Sequence, residues 1–96
     1  MSNRVTEKDL QAIVDRLNRM MNSPMAPYVK DASGKYTAQI GNYHLDYAYG
    51  GVSLRRMVNS SGGESDVLGI GHATKRELQG AMFAYIQGMD DAQARS

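Results

Sequence analysis

The sequence contains no cysteine and no tryptophan, and it has only two prolines among 96 residues. Without cysteine the chain has no disulfide framework, no thiolate nucleophile and no cysteine-based zinc site. Packing and hydrogen bonds must therefore hold the fold together, and a reducing cytoplasm is the expected location. No apolar run approaches the roughly 20 residues of a membrane-spanning helix, and the N-terminus lacks the apolar segment of a secretory signal, so no membrane partner is expected.

An excess of charge of either sign is also missing. Eleven Lys and Arg residues stand against ten Asp and Glu residues, which gives a formal net charge of +1. This balance excludes a strong overall attraction to nucleic acid or to an anionic membrane, so any such binding needs a local patch. The length predicts a single domain over residues 1–96, with flexible ends at residues 1–5 and 91–96.

Two stretches have the apolar spacing of helices that bury one face. The first follows an N-cap at Thr6, with Asp9 in its first turn, and we expect it to begin near Glu7. It should end near Asn22, because Pro24 disfavours helical geometry in the residue before it.

The second helical stretch follows a capping box that runs from Thr74 to Glu77. Apolar residues then recur at helical spacing as far as Met89, and we expect the helix to end between Gly88 and Asp91. Gly80 lies inside this helix, where glycine costs about 1 kcal/mol relative to alanine. A close approach of the sheet or of the first helix is therefore predicted at Gly80.

Four short β patterns lie between the helices, at residues 36–40, 43–48, 52–58 and 67–70. Gly41-Asn42 separates the first two, which predicts a hairpin with a two-residue turn. Gly50-Gly51 and the run Asn59–Gly63 separate the others, so the patterns predict an antiparallel meander of three or four strands. Tyr28 and Val29 either pin the preceding loop to the core or begin a short extra strand.

The order of these elements predicts an α+β fold of two layers, α-β-β-β(-β)-α. Each helix has a single apolar face, so both helices should pack side by side on one face of the sheet. The other face of the sheet then stays open. Its polar residues His44, Asp46 and Arg55 are a candidate binding face, or simply solvated surface.

A second candidate site is a corner formed by His72, Thr74, Lys75 and Arg76 at the start of the second helix. Lys75 and Arg76 stand in the first turn, where the helix dipole favours anions rather than cations. Free backbone N–H groups, the Thr74 hydroxyl and the flexible Gly69–Gly71 approach suit a phosphate or carboxylate. The alternative is that the two basic residues only offset nearby acidic side chains.

His44, Asp46 and His72 are the only residues that resemble an acid–base or metal-binding set. The chain has no His-x-x-x-His pair and no Gly-x-Ser-x-Gly motif, so we expect neither a catalytic residue nor a metal or cofactor. A small hydrolase or metal protein centred on these three residues is kept as an alternative. Polar surface residues with local hydrogen bonds are the simpler interpretation.

The order helix, strands, helix resembles the double-stranded-RNA-binding domain. Gly41-Asn42-Tyr43-His44 and Gly69-Ile70-Gly71-His72-Ala73-Thr74-Lys75-Arg76 are similar to that family's two loop motifs. The resemblance implies that His44 reaches a minor groove while Thr74, Lys75 and Arg76 contact phosphates. Nucleic-acid binding, with Arg55 and Arg56 contributing, is therefore one hypothesis for the function.

A second resemblance covers about Tyr36 to Met89. The runs Gly-Asn-Tyr-His-Leu, Tyr-Gly-Gly-Val-Ser-Leu and Gly-His-x-x-Lys-Arg-Glu-Leu are similar to those of small proteins encoded by tailed phages and prophages. This resemblance implies a non-enzymatic binding or adaptor protein that engages a host protein in the host cytoplasm. Exposed strand edges also favour a homo-oligomer.

Overall fold

The computed structural model describes residues 4–94 of the chain. Two helices flank five strands in the order α1 (Glu7–Met20), β1 (Tyr28–Lys30), β2 (Tyr36–Ala38), β3 (Tyr43–Ala48), β4 (Gly51–Met57), β5 (Glu64–Asp66) and α2 (Lys75–Ala94). The predicted flexible ends lie partly outside the described residues. Neither helix within 4–94 is both long and apolar enough to cross a membrane.

The main sheet is the antiparallel meander β3-β4-β5, and both helices pack on one of its faces. Alternation along the strands directs Tyr43, Val52 and Leu54 to this face. They form one core with apolar residues of the helices, namely Leu10, Ile13, Val14, Leu17, Leu78, Met82 and Ile86. The predicted α+β fold with both helices on one face is confirmed.

Helix α1 has the predicted N-cap. The Thr6 hydroxyl accepts a hydrogen bond from the backbone N–H of Asp9, and the Asp9 carboxylate accepts one from the N–H of Thr6. At the other end Asn22 has φ 54° and the N–H of Ser23 donates to the carbonyl of Asn18 at 2.8 Å. This left-handed residue closes the helix near the predicted position.

The hairpin predicted around Gly41-Asn42 is wrong. β2 pairs with β1 in a separate two-stranded ribbon, and Gly41-Asn42 carries the chain from that ribbon into the main sheet. Gly41 has φ 93°, and its N–H donates to the carbonyl of Met57 at 2.8 Å. Because the turn bonds to β4, it cannot close a hairpin between β2 and β3. Tyr28 and Val29 begin a short extra strand, which was one of the two alternatives that the sequence allowed.

The connection from β3 to β4 is tighter than predicted. Tyr49 and Gly50 have φ 54° and 74°, and they form a two-residue turn between the paired residues Ala48 and Gly51. A positive φ is unusual for a bulky residue such as tyrosine. The Tyr49 side chain is 95% exposed.

The strand predicted at residues 67–70 is also wrong, because β5 ends at Asp66. The Asp66 carboxylate accepts hydrogen bonds from the N–H groups of Gly69 and Gly71, which folds this segment into a loop. The chain then returns to β4, where Ala73 and Val52 exchange two backbone hydrogen bonds of 2.9 Å. A local carboxylate thus competes successfully with strand pairing.

Helix α2 begins at Lys75 as predicted and continues to Ala94, past the end predicted between Gly88 and Asp91. The close approach predicted at Gly80 is wrong, because a Cβ atom added there would have no neighbour within 4 Å. Gly80 is an exposed helical residue. Its cost to the helix is not offset by any packing that requires glycine.

Candidate functional site

The start of α2 is held against the β3–β4 turn by a close backbone approach at Gly51. A Cβ atom added at Gly51 would lie 2.9 Å from the carbonyl oxygen of Ala73 and 3.1 Å from the carbonyl carbon of His72. No other residue type fits this spacing without a backbone shift. Glycine at this position therefore fixes where Thr74 and the first turn of α2 lie relative to the sheet.

A cavity of about 610 Å³ lies beside this contact. Its lining combines three cationic residues with apolar ones, and it consists of Arg4, Val5, Tyr47, Ala48, Gly50, Gly51, Val52, Ala73, Thr74, Lys75 and Arg76. We call this cavity the α2 corner. Its volume lies in the range typical of ligand sites. Burial, and to a smaller extent the nearby Glu7 carboxylate, raise the pKa of the Tyr47 hydroxyl.

The structure divides the predicted corner residues between two cavities. Lys75 and Arg76 line the α2 corner, whereas His72 lines a second cavity of about 490 Å³. Thr74 lines both. The second cavity also contains Tyr49, whose ring meets the His72 ring edge-on at 5.5 Å between centroids. His72 is therefore adjacent to the cationic residues but does not share their cavity.

The chain's own carboxylates take several of the donors that the sequence offers to an anion. The Asp66 carboxylate accepts hydrogen bonds from the N–H groups of Gly69 and Gly71, at 3.1 and 2.8 Å. The Thr74 hydroxyl donates to Glu77 Oε1 at 2.8 Å and accepts from the Glu77 N–H at 3.1 Å. A ligand at the α2 corner must then be bound mainly by the cationic side chains.

The sheet face opposite the helices is not open as predicted, because Ser53 and Met57 on it are buried. It holds two separate contacts between a histidine and a carboxylate instead of a three-residue cluster. His44 Nε2 lies 2.7 Å from Glu64 Oε2, and His72 Nε2 lies 2.7 Å from Asp46 Oδ2. Among residues 4–94, no group of three or more His, Cys, Asp or Glu residues is placed to hold a metal ion. His44 and Asp46 share a strand face as predicted, but His44 contacts Glu64 and Asp46 contacts His72.

The arginines that the nucleic-acid hypothesis groups together lie on opposite faces of the sheet. Arg55 Nε donates to the buried Ser53 hydroxyl at 3.0 Å on the face opposite the helices. Arg56 lies over the Tyr43 ring, at 4.7 Å from the centroid, and its Nε donates to the carbonyl of Gly41. Strand alternation separates these neighbouring side chains. The two therefore do not form one continuous basic surface.

Arg4, Val5 and Tyr47 are among the residues of the α2 corner that the sequence analysis did not predict. Arg4 and Val5 fall in the segment predicted to be a flexible lead-in, yet Val5 packs against the core. The available signal was the apolar Val5 next to the N-cap Thr6, since a residue in this position often packs onto the first turns of the helix. Tyr47 shares the alternation of Tyr43, which places its ring on the same side of the sheet.

Comparison with known proteins finds no protein-family model, no curated protein and no solved structure that matches this chain. Evidence for its function therefore comes from its own residues.

Proposed function

We propose that the chain is a non-enzymatic binding protein whose α2 corner takes an acidic segment of a partner protein. The observation that carries this proposal is the cavity that Arg4, Lys75 and Arg76 line together with apolar residues. If the chain is a phage-encoded protein, as its resemblance implies, the partner is a host protein in the cytoplasm. The activity is then binding, with no chemical step at the site.

Charge supports an acidic ligand. Lys75 and Arg76 stand in the first turn of α2, where the positive end of the helix dipole disfavours cations. Among residues 4–94, no hydrogen bond or ion pair of the Lys75 ammonium offsets this cost. A carboxylate of a partner would be attracted both by the side chain and by the helix dipole.

The apolar part of the cavity supports a protein segment over a nucleic-acid backbone. Val5, Tyr47 and Ala73 line the same space as the cationic side chains. A peptide can place a carboxylate on the cations and an adjacent apolar side chain on these residues, as in protein interfaces with an apolar centre. A phosphate backbone would use only the charges. The near-neutral net charge of +1 adds no long-range attraction to nucleic acid.

The experiment is affinity capture from a host lysate, with and without nuclease, using wild type and a Lys75→Glu/Arg76→Glu double variant. A Lys8→Glu/Arg16→Glu double variant is the matched control, because both residues are exposed on α1 and the charge change is the same. We expect a nuclease-resistant protein that the control retains and the Lys75→Glu/Arg76→Glu variant loses. Equal capture by both variants would refute the α2 corner as the site.

Salt dependence separates protein from nucleic acid once a partner is in hand. Affinity for an apolar-centred protein interface should fall only modestly between low and physiological salt. If the ligand is a nucleic acid bound through several phosphates, the affinity should fall steeply over the same range. Nuclease-sensitive capture with a steep salt slope would replace the protein partner with a nucleic acid.

A further inference from the structure

In the ribbon formed by β1 and β2, one edge of β1 pairs with no other strand within the part of the chain the structure describes. Gln39 N donates to the carbonyl of Pro27, and Asp31 N donates to the carbonyl of Lys35, so the odd-numbered positions of β1 face β2. The backbone N–H and C=O groups of Tyr28 and Lys30 therefore point away from the ribbon. Such an edge is a template for another strand.

We propose that this edge pairs with β1 of a second copy of the chain, antiparallel, about a two-fold axis at Val29. In this register Tyr28 lies opposite the partner's Lys30, and Val29 lies opposite the partner's Val29. All three residues of each strand are then paired. The two Tyr28–Lys30 pairs are the hydrogen-bonded ones, because their backbone groups point outward in both copies.

The side chains of the edge are self-complementary in this register. Within the ribbon Lys30 already lies opposite Tyr36, with its ammonium 5.9 Å from the centre of the ring. Pairing with a second copy sets the same ammonium opposite the partner's Tyr28, which is a second favourable contact of cation and ring. A lysine at a strand edge normally discourages pairing. Here the register gives it an aromatic partner.

Other registers are weaker. A shift by two residues in one direction places Lys30 opposite the partner's Lys30, and like charges directly opposed destabilise a strand pair. A shift in the other direction leaves Lys30 opposite Ala26, which lies outside β1. The three-residue strand thus selects one arrangement. The occupant that fits it best is its own copy.

The exposed apolar side chains of the ribbon are a further reason for an additional strand. Tyr28, Val29 and Tyr36 are 47%, 50% and 65% exposed, and they lie on both faces of the ribbon. A two-stranded ribbon alone has marginal stability, whereas four strands in one sheet shield these side chains better. The interface is small, below about 1,200 Å², so the dimer should be weak and reversible.

The first test is a cysteine crosslink, and the chain is suited to it because it has no cysteine of its own. Opposed non-hydrogen-bonded residues in an antiparallel pair have Cα atoms about 4.5 Å apart, within the disulfide range of about 4.4–6.8 Å. Val29→Cys should therefore form a disulfide-linked dimer under mild oxidation. Lys35→Cys is the control, since the β2 strands would lie about 14 Å apart across the four-stranded sheet.

The second test is sedimentation of wild type and Lys30→Pro up to hundreds of micromolar. Proline at position 30 removes an outward N–H but no ribbon hydrogen bond, so the dimer should be lost while circular dichroism stays unchanged. Lys30→Thr is the second variant, used if circular dichroism shows that the proline disturbs the ribbon. It keeps the strand but removes the ammonium, and it should also weaken the dimer. Three results would each overturn the proposal: a wild type that stays monomeric, a dimer that both Lys30 variants retain, or crosslinking of Lys35→Cys as fast as that of Val29→Cys.

Discussion

The main sheet and the ribbon have similar strand sequences but very different surroundings. Both contain tyrosine and alternating apolar residues, yet Tyr43 is 1% exposed in β3 and Tyr36 is 65% exposed in β2. The difference is the helix layer, which covers one face of β3-β4-β5 and leaves the ribbon uncovered. Alternation thus predicts that a segment is extended, but it does not predict which sheet the strand joins.

The two regions also differ in how their polar groups are satisfied. At the main sheet the fully buried Asn18 side chain of α1 forms hydrogen bonds with both the N–H and the carbonyl of Tyr43, 25 positions away. In the ribbon the hydrogen bonds of Asp31 go to Ser33, Gly34 and Lys35, all within four positions of it. A lost contact in the main sheet should therefore destabilise the whole domain, and one in the ribbon should act locally.

The largest expected effect is that of Asn18→Leu. Leucine has a similar volume but leaves two buried backbone groups of Tyr43 without partners, at about 1–3 kcal/mol each. We expect the free energy of unfolding, measured by urea denaturation, to fall by roughly 2–4 kcal/mol. Gln11→Ala, on the exposed side of the same helix, should change it by less than about 0.5 kcal/mol. Equal effects of the two variants would mean that Asn18 does not support the edge of β3.

The next largest effects are those of two glycine substitutions that should change the free energy of unfolding in opposite directions. Gly51→Ala forces a Cβ atom against the Ala73 carbonyl, and a backbone shift of this kind costs about 1–3 kcal/mol. Gly80→Ala meets no neighbour within 4 Å and should stabilise α2 by about 1 kcal/mol. Thermal unfolding of both variants checks the signs. A stabilising Gly51→Ala would show that the approach of α2 to the β3–β4 turn is loose.

Much of the fold could be predicted because it depends on local rules. The Thr6 cap, the start of α2 after Thr74 and the helix layer on one face of the sheet all follow from caps and periodicity. The hairpin at Gly41-Asn42 failed because the competing turn at Asp31 is closed by a carboxylate that bonds Ser33 and Lys35. Two adjacent turn signals cannot be ranked from the sequence without knowing these bonds.

The candidate site was predicted only in part. Lys75 and Arg76 were found because cations at a helix start contradict the local electrostatics. Arg4 and Val5 were missed because they join the α2 corner only through the packing of the chain start against distant elements. The separate carboxylate partners of His44 and His72 depend on Glu64, which strand pairing brings near His44 from 20 positions away. Long-range pairing of this kind has no local signal.

A smaller effect is expected from Tyr43→Phe. Burial and the hydrogen bond with the Tyr85 hydroxyl raise the pKa of Tyr43 to about 12. Because the folded-state pKa is raised, this stability is fully present below the ordinary value near 10 and is lost as the pH rises toward 12. Tyr43→Phe should cost about 0.5–1.5 kcal/mol at neutral pH and flatten the decline of stability in this alkaline range. Tyr85→Phe is the control that removes the hydrogen bond but leaves Tyr43 buried, and an unchanged alkaline decline in Tyr43→Phe would contradict the assignment.

The smallest effect on the whole domain, and the clearest test of a locally held ribbon, comes from Asp31→Ala. Hydrogen bonds from the Ser33 side chain and from the Lys35 backbone lower the pKa of Asp31. The stabilisation is therefore present above the ordinary value of 3.8 and is lost as the pH falls below it. In hydrogen exchange near neutral pH, Asp31→Ala should reduce the protection of the Val29 and Thr37 amides while leaving that of the Val52 amide, which donates to the Ala73 carbonyl, unchanged. Wild type below pH 3.8 should lose the same ribbon protection that Asp31→Ala has already lost at neutral pH. If the Val52 amide lost protection together with the ribbon, the two regions would unfold as one unit and the contrast between them would fail.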